Sequence, residues 1–260
     1  MGSEMCIRDS FSYGLQFETA YTLSKSIDTA SATESVFSNG ALGSFRQDPF
    51  DSRGQRGLSD FDTRNNFVAN FLYDLPFGKG QRYGGSIDGV AGKLIGGWST
   101  GGIVNLRSGF PFNVSLGFDR VGSGIDNPQY LRPNLAPGKK IEDAITGNPD
   151  RFVDPSFFQL QPAGFYGNSP RNALRGPNLK TFDLTFTKQT PITERIRSEF
   201  RFEAFNLFNR ANFAPPIGVN RTVFNGVDAT GAPILSPIFG QLTQTSTKSR
   251  QLQFGFKLLW

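Results

Sequence analysis

The sequence predicts an all-β chain whose long antiparallel strands form part of a transmembrane barrel wall, open or incomplete, with long loops on one side. Three observations predict it. Apolar and polar residues alternate with period two in about six segments of about 9–15 residues. That length suits a tilted strand crossing a bilayer, whereas soluble strands average about 5–6 residues. The connections between the segments alternate long and short, which is the sidedness of an outer-membrane barrel. The apolar content is aromatic, with 27 Phe, 6 Tyr and 2 Trp against 2 Met and 1 Cys, and it stands beside 30 Gly and 16 Pro. This is a strand-and-turn composition.

The elements follow in order. Tyr13, Leu15, Phe17, Thr19, Tyr21 and Leu23 alternate with Ser12, Gly14, Gln16, Glu18, Ala20, Thr22 and Ser24. The polar segment 27–61, with Gly40, Gly43, Asp48-Pro49 and Gly54, reads as a loop. Phe67, Ala69, Phe71, Tyr73 and Leu75 then alternate with Asn66, Val68, Asn70, Leu72 and Asp74, and Pro76-Phe77-Gly78 stops the strand. Trp98, Thr100, Gly102, Val104 and Leu106 form the apolar side of a third strand, whose extended character continues past Gly109 through Phe112, Val114 and Leu116. Residues 118–178 form a long Gly/Pro/Asn-rich connection. Phe182, Leu184 and Phe186, then Phe200, Phe202 and Ala204, mark two strands separated by a short break at Thr190 to Arg197. After the loop 210–249, Leu252, Phe254, Phe256, Leu258 and Trp260 face one way and Gln251, Gln253, Gly255 and Lys257 the other.

Periodicity alone does not separate a sandwich, with its apolar face inward, from a barrel, with its apolar face toward lipid. Strand length, the terminal aromatic and a polar face mixing Glu, Arg, Asn, Gln and Gly favour the barrel. Tyr73, Phe77, Trp98 and Trp260, near the short turns, suit an interfacial girdle. Residues 1–10 (MGSEMCIRDS) lack both alternation and the layout of a signal peptide. They look like the translation of a sequencing-adapter remnant, and are expected to be disordered and non-native. Residues 11–260 then form the barrel part.

Composition excludes several functions. The chain of 260 residues contains no histidine, which removes Ser/His/Asp and Cys/His triads and the usual zinc sites. Cys6 alone allows neither an intrachain disulfide nor a CxxC site. No window approaches 18 apolar residues, so no helical span is predicted. The net charge of +5 is spread thinly, with Lys139-Lys140 the one adjacent basic pair, and nucleic-acid binding finds little support.

Seven stretches, in order, carry a resemblance: Tyr21 to Asp28 (YTLSKSID), Ser59 to Phe67 (SDFDTRNNF), Tyr73 to Gly78 (YDLPFG), Gly97-Trp98 leading to Leu106 to Phe112 (LRSGFPF), Gly167 to Pro177 (GNSPRNALRGP), Arg201 to Phe213 (RFEAFNLFNRANF) and Gln251 to Trp260. They resemble the C-terminal barrel region of TonB-dependent outer-membrane receptors, specifically the Oar-like group with a carboxypeptidase-regulatory-like N-terminal domain. The resemblance spans roughly residues 11–260. It implies a barrel of about 22 strands with an N-terminal plug whose TonB box couples uptake to inner-membrane energy. About six strands cannot close around a lumen, so a C-terminal part of such a receptor is expected. The implied partners are the outer-membrane bilayer, the barrel-assembly machinery reading the terminal strand, the TonB complex through the plug, and an unknown ligand. Trp260 stands where that family usually ends in Phe.

Motifs with a chemical reading are weaker. Gly89-Val-Ala-Gly92-Lys93 lacks the glycine spacing and the following Ser/Thr of a phosphate loop and reads as a turn. Asp119, Asp126 and Asn127 have no EF-hand spacing and read as solvated loop acids rather than calcium ligands. Glu199 and Glu203 flank Arg201 and read as wet, lumen-facing charges rather than catalytic carboxylates. Asp60, Asp62 and Arg64 either contact substrate at the mouth or pin the loop by hydrogen bonds and ion pairs, and pinning is the cheaper explanation. Pro76-Phe77 and Pro111-Phe112 suit sugar stacking, and suit strand termination and interface anchoring at least as well. Asn206, Asn209 and Asn212 are expected to end a strand and shape a turn.

No catalytic, cofactor or metal residue is assigned, and ligand-binding residues are not legible. The expected function is uptake of a large scarce ligand across the cell outer membrane, with no enzymatic chemistry. The alternative is a soluble or surface β-sandwich that binds carbohydrate or mediates adhesion.

Overall fold

The computed structural model describes residues 2–11, 14–31, 46–48, 50–124 and 128–260. Met1, Ser12, Tyr13, Gly40, Gly43, Pro49, Asp126 and Asn127 lie outside the described residues.

One antiparallel sheet carries seven strands: β1 (Gly2–Phe11), β2 (Leu15–Ser24), β3 (Asn65–Asp74), β4 (Trp98–Arg107), β5 (Leu179–Pro191), β6 (Arg197–Phe205) and β7 (Gln251–Leu259). Their order in the sheet is their order in the chain, an up-and-down meander with β1 and β7 at its edges. The two edges do not pair, so the barrel is not closed. The strands hold 9–13 residues, enough for tilted crossing of a hydrocarbon core.

The register aligns the alternation of every strand. Phe17 pairs with Phe71, Tyr21 with Phe67, Phe67 with Leu106 and Ala69 with Val104. Val104 pairs with Phe182, Leu184 with Ala204, Phe202 with Phe254 and Phe200 with Phe256. All of these lie on one face, because cross-strand partners share a face and the side-chain period is two. The opposite face pairs Glu18 with Asn70, Asn66 with Arg107, Thr185 with Glu203 and Glu199 with Lys257. Among the described residues no second sheet covers the apolar face, and Phe254 and Phe256 are 66% and 69% exposed. A sandwich would bury them. Gly102 sits in the middle of this face because the Phe71 and Phe182 rings close over it and leave no room for a Cβ.

Three sequence expectations need correction. The sheet has seven strands rather than six, because Gly2–Phe11, expected to be disordered, pairs with β2 along its whole length. Its register places Met5 and Ile7 on the apolar face and Glu4, Cys6 and Arg8 on the polar one, an alternation too short and too interrupted by Asp9 to stand out in sequence. The third strand ends at Arg107. Pro111–Phe112 and Ser115–Leu116 leave the wall to pair instead with Leu174–Arg175 and, in parallel, with Thr222–Val227. The connection 75–97 is not all turn, for it contains α1 (Gly89–Ile95). Lys188 Nζ of β5 donates to the Lys93 carbonyl at 2.6 Å and to Gly96 O, satisfying carbonyls that the helix end leaves free.

The packed core lies outside the wall. Phe112, Leu116, Leu131, Val153, Phe158, Leu174, Val223 and Phe239 are buried together, and all come from the connections 108–178 and 206–250. The described residues of the long connection 25–64 dock on the connection 108–178 through polar contacts. All three leave the same end of the sheet, where their described residues pack and hydrogen-bond into one cap.

Candidate functional site

Within the cap, the connections 25–64 and 108–178 are held together by a buried polar clamp. Arg171 has no exposed side-chain surface. Its Nη1 donates to Asp28 Oδ1 at 2.5 Å and to the Asp28 carbonyl at 3.1 Å, and its Nη2 donates to Ser31 Oγ at 2.7 Å. Ser31 Oγ in turn donates to Asp28 Oδ2 at 2.5 Å and accepts from the Asp60 amide at 3.0 Å. The neighbouring Asn172 donates through Nδ2 to the Leu58 carbonyl and to Asp60 Oδ1, at 2.7 and 2.5 Å. Arg175 forms an ion pair with the fully buried Asp62, whose Oδ1 accepts from the Ser26 amide at 2.6 Å. A second buried arginine, Arg132, donates to Gln55 Oε1 at 3.0 Å and to the Ser169 carbonyl at 2.9 Å.

The local chemistry explains why these residues hold the site. Asn172 adopts φ 52°, a left-handed conformation that Asn tolerates better than most side chains. That turn aims Asn172 and the adjacent Arg171 into the connection 25–64. Gly57 has no Cβ because the Arg171 backbone closes on it. A buried guanidinium persists only when its donors are satisfied by charge and hydrogen bonds, and here they are.

Electrostatics follow from burial. Desolvation pushes the Asp28 carboxyl upward. Hydrogen bonds from Ser31, Ser59 and Arg171, with the Arg171 charge, outweigh it and hold the group below its ordinary value. Burial, assisted by the nearby Arg171 charge, brings Arg132 down to about 10. Desolvation also opposes the charge on Asp119, but the amides of Gly124, Gly122 and Val121 and the Ser123 hydroxyl win and lower it. Asp119 is thus occupied by its own turn. Among the described residues no cluster of His, Cys, Asp or Glu suits a metal ion.

The remaining sequence candidates find their places. Asp60 and Asp62 pin the loop, and the Arg64 carbonyl accepts from the Ser24 amide at 3.0 Å where β3 begins. Glu199, Arg201 and Glu203 lie on the polar face, with Arg201 at 3.0 Å from Glu199 and 3.9 Å from Glu203. Phe112 is buried in the cap core and is closed to sugar stacking, while Phe77 packs on Tyr83 with ring centroids 5.9 Å apart. Asn206 and Asn209 adopt φ 49° and 51° and shape the turn after β6. Asn212 Oδ1 accepts from the Lys180 amide at 2.8 Å. Gly89, with φ 70°, starts an exposed seven-residue helix and builds no phosphate cradle.

Sequence reasoning did not single out Arg171, Asn172, Arg175 or Arg132 individually. Their partners lie 113 to 143 residues away for the ion pairs, and no local spacing carries that signal. The clamp assembles no nucleophile and base around an open position. It positions the cap, and it brings together the stretches Ser59–Phe67 and Gly167–Pro177.

No curated protein and no solved structure matches this chain. A family model described as an outer membrane beta barrel domain matches residues 3–253. Wall strands, an apolar outer face, a polar inner face and long connections at one end agree with that match over nearly the whole chain. The chain therefore belongs to the outer membrane beta barrel domain family, and it resides in the outer membrane.

Proposed function

We propose that this chain forms part of the wall and the extracellular cap of a TonB-dependent receptor that takes up a large scarce ligand. The observation that carries the reading is the clamp. Two stretches of the TonB-dependent-receptor resemblance, Ser59–Phe67 and Gly167–Pro177, meet in it through Asn172–Asp60 and Arg175–Asp62. A cap pre-organised in this way presents a fixed surface to a ligand and lowers the ordering cost of binding. The polar face of β2 to β7, with Glu18, Asn70, Asn105, Asp183, Glu203 and Lys257, suits a wetted lumen.

An open sheet in lipid leaves two rows of unpaired backbone groups, so β1 and β7 need further strands beside them. The barrel-assembly machinery acts on the amphipathic strand β7, and the TonB complex acts through a plug seated in the completed barrel. The protein performs transport and no catalysis, takes no cofactor and binds no nucleic acid.

The test compares a strain lacking this protein with one lacking TonB across a panel of scarce nutrients. A growth defect common to both supports the reading. A nutrient requirement for the protein that persists unchanged when TonB is absent overturns energy-coupled uptake and leaves a passive barrel.

A further inference from the structure

We propose that the outer face of the wall carries a site for an anionic, phosphate-bearing lipid of the outer leaflet. A groove of about 640 Å³ lies where β4 and β5 reach the cap. Its floor is apolar, formed by Val104, Leu106, Phe182 and Phe208, and its rim carries Lys180 and Arg210. Lys180 pairs with Leu106 and Phe182 with Val104 in the sheet register, so Lys180 stands on the lipid side at the cap end of the strand. In an outer-membrane barrel the long connections are extracellular. The groove therefore opens at the headgroup level of the outer leaflet.

The groove is built by a turn rather than left by chance. Asn206, which is buried, accepts from the Arg210 amide at 3.1 Å and donates to the Arg210 and Lys248 carbonyls at 3.0 and 3.1 Å. Its own amide donates to Asp183 Oδ1 at 2.7 Å, and the Leu207 amide donates to the Phe182 carbonyl at 2.8 Å. These bonds fold the turn back against β5 and hold Phe208 over Phe182, stacked with centroids 5.7 Å apart and planes at 22°. Phe208 is nevertheless 75% exposed, and with Val104, Leu106 and Phe182 it presents a continuous apolar surface that suits hydrocarbon.

Charge selects the headgroup. Among the described residues no salt bridge engages Lys180 or Arg210. Two cations above an apolar groove match a phosphate joined to acyl chains. The ammonium acts as a point charge and the guanidinium as a planar fork. A neutral lipid would fill the floor and leave both charges uncompensated.

The test uses the full chain in detergent micelles and measures binding of diphosphoryl lipid A, the same lipid with its phosphates removed, and inorganic phosphate. Each surface cation contributes about fivefold toward an anionic lipid, so the intact protein is expected to prefer the phosphorylated lipid by about thirtyfold. The double variant Lys180→Gln/Arg210→Gln is expected to lose that preference and to keep its binding of the dephosphorylated lipid. Equal binding of the two lipids by the unaltered protein overturns the proposal without reference to any variant. Saturation of the site by inorganic phosphate alone, at concentrations where lipid binding is half complete, overturns the lipid as its occupant.

Discussion

Arg171 is the residue on which the cap turns. Its guanidinium is fully buried while its partner Asp28 is 26% exposed, so truncating the arginine strands a carboxylate that water reaches only partly. Breaking a buried ion pair costs about 3–5 kcal/mol. The partial exposure of Asp28 places Arg171→Ala near the lower end, at about 3 kcal/mol of cap stability. The expected readout is faster hydrogen exchange of the amides around residues 26–31, 57–62 and 171–175, with the wall amides unchanged. The pH dependence has a definite sign. Asp28 is held below its ordinary value, so its contribution is present above about pH 4 and fades as pH falls through the lowered value. Asp154, lowered first by the Ser156 amide, and Asp228, lowered first by the Thr230 hydroxyl, act in the same direction. Cap protection measured by exchange should therefore hold from pH 7 to about pH 5 and decline below about pH 4. In Asp28→Asn the acid-induced decline should be smaller, because the lowered carboxyl is gone.

The two faces of a strand are distinguished by what each substitution meets. Phe254 on β7 faces lipid and pairs with Phe202, whereas Glu203 on β6 faces the polar side opposite Gln253. Arginine on the lipid face near the bilayer midplane costs about 2–4 kcal/mol. Phe254→Arg is expected to lower folding yield into vesicles by that measure, while Glu203→Gln leaves yield within error. Equal effects of the two would reverse the assignment of faces. At this scale the sequence was legible. The alternation of Phe67, Ala69, Phe71 and Tyr73, and of Leu252 to Leu258, fixes which side chains share a face, because period two leaves no freedom once strands pair. What alternation did not show was the end of β4. Phe112 and Leu116 continue an apolar pattern, yet that pattern serves the cap core rather than the wall.

As a whole the molecule is a wall with a lid, and its stability is divided accordingly. The wall exposes its apolar face and two unpaired edges, and so depends on a lipid surround. The cap has its own buried core and clamp. The isolated chain is expected to partition into detergent or to aggregate, with the cap retaining protease resistance. A monodisperse, detergent-free monomer in analytical ultracentrifugation would contradict a lipid-facing wall. The partners Asp28–Arg171 and Asp62–Arg175 could not be read beforehand, since aspartates and arginines in long polar connections look alike until the chain is folded. Asp60 and Asp62 were legible as loop-pinning groups because they stand where a loop meets a strand.

The sequence by itself determined the strand class, the two faces of six wall strands and the long–short alternation of connections, since each depends on local periodicity and turn chemistry. The tertiary structure alone decided that Gly2–Phe11 joins the sheet and that the long connections share one core. It also decided that buried arginines clamp them and that the turn after β6 lays Phe208 against β5. Those outcomes rest on contacts between residues far apart in the chain. Such contacts are set by burial and charge pairing in three dimensions, and a linear pattern does not encode them.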